Sequence, residues 1–200
     1  MKKILNTGKA ACLITVILMA AGFILGGTRP LSRMKGENTN LFFTGTENSG
    51  PNSFNMMDDL RAYSGLAANA LVVAGRYFDD NVREVAEFRR AREQLDMAIN
   101  NSISGPDLRA DRLKGALNAL HVAAHDLERI MVENSSVSPS DASLFRGNAT
   151  DMDSLHTIMT RQGEIFNNHA RNFNDILNRG PASLFRIIGL VRPMYLFYND

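Results

Sequence analysis

His121, His125 and Glu128 recur at i, i+4 and i+7, so a helix through them presents all three on one face. Two imidazoles four residues apart can chelate one metal ion, each through a ring nitrogen. A closed site needs a further ligand, and the remaining histidines are His156 and His169. Neither belongs to a Glu-x-x-His pair of the di-iron kind. Both His121 and His125 fall one position off an apolar stripe, where solvated boundary residues sit. The expectation is therefore no metal and no cofactor. A metal-binding or enzymatic helical domain built on His121, His125 and Glu128 is the alternative. His169 falls between Phe166 and Phe173, either as a buried pH-sensitive group or as a hydrogen-bonded boundary residue.

The rest of the chain offers little further chemistry. It contains no phosphate-cradling glycine loop, no nucleophile elbow and no metalloprotease motif, so no catalytic residue is assigned and no enzyme is expected. Residues 83–93 (REVAEFRRARE) read as a solvated helix face with i,i+4 ion pairs. The single cysteine, Cys12, excludes an intrachain disulfide. Charge is uneven: residues 1–35 carry +6 and residues 36–200 carry −5. A net-acidic domain argues against nucleic acid as a partner, since phosphate binding needs a basic face.

The elements that would position these residues begin with an apolar run. Ala10 to Gly27 is 18 residues without a charge. A membrane-spanning helix needs roughly 17–25 such residues. A cleaved signal peptide is the competing reading, but Phe23, Ile24 and Leu25 continue the run past the best cleavage candidate at Ala20-Ala21-Gly22. We read residues 1–35 as an uncleaved single-pass anchor in a bacterial inner membrane. Basic residues flank both ends, and the N-terminal amine tips the balance toward a periplasmic domain. Residues 36–55, rich in Gly, Asn, Thr and Ser, read as a linker. Its Leu41-Phe42-Phe43 cluster could touch a membrane or dock on the domain.

Residues 56–181 have helical period throughout. Leu60, Tyr63, Ala67, Ala70, Ala74 and Tyr77 form one stripe, with Ser53 as a plausible N-cap. Val82, Val85, Phe88, Ala91, Leu95 and Ala98 form the next. Leu113, Leu117, Leu120, Ala124, Leu127 and Met131 alternate spacings of four and three without a miss. Met152, Leu155, Met159, Phe166, Phe173 and Ile176 form the last. No segment sustains a two-residue period. The expected fold class is all-α: an N-terminal transmembrane helix followed by an antiparallel up-and-down bundle of long amphipathic helices, with coiled-coil-like crossing angles.

Phe166-Asn167 is repeated seven residues later as Phe173-Asn174, and Leu177, Gly180-Pro181, Leu184 and Gly189 follow. Upstream stand Leu66-Ala67-Ala68-Asn69, Tyr77 and Ala91-Arg92. In order and spacing these resemble the LemA family, with Phe in place of the family's Tyr at 166 and 173. The resemblance spans about 56–197. It implies a membrane-anchored helical bundle with no established chemistry, acting as a scaffold in membrane organisation or envelope assembly. Asn167 and Asn174 would form a polar ladder between helices.

Residues 182–200 are apolar and aromatic. Leu184, Phe185, Arg186, Ile188, Arg192, Tyr195 and Phe197 are the expected interaction residues. Three arginines (Arg179, Arg186, Arg192) without a neighbouring acid suit an anionic headgroup layer. Membrane lipid is the expected partner, together with self-association or a protein. Folding back to cap the core is the competing reading.

Overall fold

The computed structural model describes residues 2–45, 55–105 and 107–197, apart from the side chains of 2–12, 20 and 25. Every regular element among the described residues is a helix: α1 (Lys2–Thr44), α2 (Met56–Ala74), α3 (Arg83–Ser104), α4 (Ala110–Glu133), α5 (Pro139–Asn178) and α6 (Ala182–Ile187). Two compact units can be distinguished, one of Met1–Glu37 with Asn172–Pro193, the other of Asn38–Arg171 with Met194–Asp200.

In the first unit, α1 carries the one helix among the described residues that is long and apolar enough to cross a membrane. The qualifying stretch is Leu13–Thr44, with mean hydropathy 1.6, and none of its most apolar window is buried. The ring of Phe185 stacks on Phe23, with centroids 5.1 Å apart. It fills the notch left by Gly27, where an added Cβ would lie 2.3 Å from Phe185 Cζ. The chain after α6 closes on itself through Leu190 and Val191 N–H groups donating to the Phe185 carbonyl.

The second unit begins inside the expected linker. Residues 36–44 are the last turns of α1 rather than loop. Asn38 and Phe42, one turn apart, are both buried. Packing of that face outweighs the weak helix propensity of Gly and Asn. Phe42 meets Phe166 and Phe197 edge-on, at 5.2 and 5.8 Å, so the aromatic cluster docks on this unit.

Helix ends follow local chemistry. Asn55 caps α2 by accepting from the N–H groups of Met57 and Asp58; Ser53, the expected cap, lies outside the described residues. Ser138 Oγ accepts from the Asp141 N–H, and Pro139 takes the first position of α5, where its missing N–H costs nothing. Tyr77 donates to Asp141, which also pairs with Arg76. Ser64 and Gly65 do not break α2; Ser64 Oγ donates to Asp96 on α3.

The α4 stripe is buried throughout, from Leu113 to Met131. Two stripes need correction toward their C-terminal ends. On α3, Ile99 is buried and Ala98 only half-buried. On α5, Leu177 and Ala170 are buried, whereas Ile176 and His169 are exposed. A strict seven-residue repeat drifts by about 20° per heptad against a straight 3.6-residue helix. In both stripes the departure is a step of four (Leu95 to Ile99, Phe166 to Ala170, Phe173 to Leu177) where a step of three was expected, and a 3.6-residue period takes fours more often than threes.

Candidate functional site: a polar seam between α4 and α5

The residues with chemical potential collect beside the α4 stripe. Lys114, Asn118, His121 and His125 follow one another at spacings of four, three and four. Their partners on α5 descend in the same steps. Lys114 Nζ donates to Thr160 Oγ1 at 3.1 Å. His156 Nε2 lies 3.3 Å from Asn118 Oδ1, so that nitrogen carries the proton and donates to the amide oxygen. His121 Nδ1 and His125 Nε2 each lie 3.7 Å from Asp153 Oδ1. The two helices thus meet antiparallel in a fixed register.

Three imidazoles gather at one end of this seam. His156 stacks on His121 with centroids 3.9 Å apart and planes 3° from parallel. His121 and His125 meet edge-on, their Nε2 atoms 3.4 Å apart. The hydroxyl of Tyr63, fully buried on α2, lies 3.3 Å from His121 Nδ1. One ligand atom from each of His121, His125 and Asp153 lies within 4.8 Å of the other two. The His pair anticipated from its spacing therefore converges, but with Asp153 rather than Glu128. Glu128 Oε2 instead stands 3.9 Å from His125 Nδ1, behind the cluster. His169 stays exposed and takes no part; its backbone carbonyl accepts from Asn38.

The electrostatics favour the neutral forms of His121 and His156. Burial pushes His156 down from 6.5 to about 4, and the neighbouring His121 and Lys114 push the same way. Burial, then His125, also lowers His121, while Asp153 opposes. Burial lowers the Lys114 ammonium. The folded His156 thus takes up its proton at a lower pH than the unfolded chain does. Stability tied to it is whole above about pH 6.5 and falls as pH drops from there toward about 4. In the presence of a chelator, the wild-type melting temperature should fall between pH 7.5 and pH 5. His156→Gln should flatten that fall, and an equal fall in both proteins would remove His156 as its source.

The expected interaction residues separate. Leu184, Arg186, Ile188, Arg192 and Tyr195 are exposed, whereas Phe185 and Phe197 are buried. Phe197 is a core residue because α5 is built to hold it. A Cβ on Gly163 would lie 2.3 Å from Phe197 Cδ1. The Asn167 amide brackets the Phe197 backbone, accepting from its N–H at 2.6 Å and donating to its carbonyl at 3.3 Å. Asn167 thus serves the 194–197 segment, where a ladder between helices was expected. Tyr195 lies beneath the Arg109 guanidinium, 4.2 Å from the ring centre.

Asp153 and Asn118 were not singled out from the sequence, and Tyr63 was read only as a member of the α2 stripe. The seam's spacing on α4 was there to read, but its partners depend on the α4–α5 register. Among the described residues, the fold and seam define an all-helical chain with one helix long and apolar enough to cross a membrane and a histidine cluster between two amphipathic helices. No family model matches it, and neither a curated protein nor a solved structure does so.

Proposed function

We propose that this is a single-pass membrane protein of a bacterial inner membrane, a divergent relative of the LemA family. Its α1 crosses the bilayer, and α2 to α5 form an antiparallel up-and-down bundle. The bundle acts as a scaffold or interaction module in membrane organisation, without catalysis of its own. Lipid is its first partner, and a protein or a second copy its second. The observation that carries the reading is the face of α1. Leu13, Ile14, Val16, Ile17, Leu18, Met19, Phe23 and Ile24 are all exposed. Contiguous large apolar side chains of this kind mark contact with a membrane or a partner. Leu184, Ile187, Ile188 and Leu190 add exposed apolar surface within the same unit. The Phe185 anchor at Phe23 and Gly27 holds them level with the end of the apolar run. Arg29, Arg33, Arg186 and Arg192 lie near that level in the chain, where an anionic headgroup layer would meet them. The paired order of the α4–α5 contacts supports the up-and-down arrangement.

The full chain should stay in the membrane fraction through high-salt and carbonate washes, and intact mass should show the apolar run retained. A soluble product beginning after residue 20 would replace the anchor with a signal peptide.

A further inference from the structure

We propose that His121, His125 and Asp153 bind a divalent transition ion of the zinc class, clasping α4 to α5. Two nitrogen ligands at zinc's bond length, set at tetrahedral angles, stand about 3.3 Å apart. The Nε2 atoms of His121 and His125 are 3.4 Å apart. Asp153 Oδ1 is 3.7 Å from His125 Nε2, and the three ligand atoms fall within 4.8 Å of one another. Closing onto an ion draws ligand atoms now as much as 4.8 Å apart to about 3.3 Å, a movement carried by the half-exposed side chains of His125 and Asp153.

The tautomers are arranged for this role. His121 Nδ1 faces the Tyr63 hydroxyl. A proton on Nδ1 donates to that oxygen and leaves the Nε2 lone pair free. Behind His125, Glu128 stands within reach of Nδ1. Outer partners of this kind fix the orientation of ligating histidines and raise their basicity. His156 stacks on the His121 ring and is itself held by Asn118, so the ring plane is set before any ion arrives.

The donor set selects the ion. Two imidazoles and one carboxylate suit zinc, nickel, copper or ferrous iron, whereas magnesium and calcium prefer all-oxygen shells. Three protein ligands leave a fourth position for water. Since the side chains of His125 and Asp153 are each 52% exposed, that position is reachable from solvent and the ion is exchangeable.

The test uses the full chain in detergent, purified without a polyhistidine tag and stripped with a chelator. Competition with a chromogenic zinc indicator should give one zinc per chain. His125→Gln and Asp153→Asn should each weaken binding by about 100-fold or more, while Glu128→Gln, as an outer partner, should weaken it by about tenfold. His169→Gln should leave it unchanged. Cobalt loading should give visible absorption of tetrahedral intensity that His125→Gln abolishes, with helix content by circular dichroism unaltered. Absence of stoichiometric zinc overturns the proposal, as does equal loss in His169→Gln. Full affinity in Asp153→Asn combined with loss in Glu128→Gln overturns it too, because the ligands would then lie along α4 alone.

Discussion

Leu120→Ala should lower the stability of the folded chain by about 2–5 kcal/mol, one of the largest effects expected of a single truncation here. Leu120 is fully buried on α4, midway along a stripe with no exposed member. The helix faces α3 and α2 as well as α5. Its neighbours belong to several helices and cannot all shift to fill the space. The loss therefore includes a cavity as well as transfer of the methyl groups to water. Arg89→Ala makes the contrast. Its guanidinium pairs with Asp80, and both side chains are largely in solvent, at 43% and 66%, so the salt bridge is worth little. Arg89→Ala should melt with the wild type and Leu120→Ala far below it. Coincident curves in chemical denaturation would show that the buried stripe has been misplaced.

The second large effect concerns Phe197, where the sequence favoured surface contact. Phe197→Ala should cost about 3 kcal/mol, the lower end of the range for a buried aromatic. The lower end applies because residues 194–197 have no regular structure and can peel away rather than leave a rigid cavity. What remains exposed is the Phe42–Phe166 pair and the face of α5 around Gly163. Limited proteolysis should then cut after residue 190 in the variant before it cuts the wild type. A variant with unchanged stability and cleavage would mean that the segment is not docked in solution.

These two residues mark what the sequence made legible. Leu120 was readable because α4 is amphipathic by period alone, and burial follows period when one face meets the core. Phe197 was not, because its burial depends on a glycine and an asparagine on α5, 34 and 30 residues upstream of it. Neither residue type signals a docking notch by itself. The same division runs through the histidine cluster. His121 and His125 declare themselves by a spacing of four along one helix. Asp153 is matched to them only once the turn at 134–138 fixes the α4–α5 register. The extension of α1 to Thr44 was hidden for a related reason: Gly36, Asn38 and Asn40 read as loop formers until Asn38 and Phe42 are seen to be buried.

The closure of Phe42 against Phe197 also has a consequence in time. Asn38 Nδ2 lies 3.9 Å from Met194 Sδ across 156 residues of sequence, and Phe42 shares the same neighbourhood. During synthesis, at about 5–20 residues per second, on the order of ten seconds pass between the two ends of this contact. The turn of Asn38 and Phe42 has by then left the ribosome, while the aromatic pocket it helps to form still lacks its last ring. Loops of this length close slowly, because their entropy is lost before the contact returns anything. The nascent chain therefore carries an unfilled apolar cleft around Phe42 and Phe166 until residue 197 has been made, and in that interval a chaperone would find it most accessible.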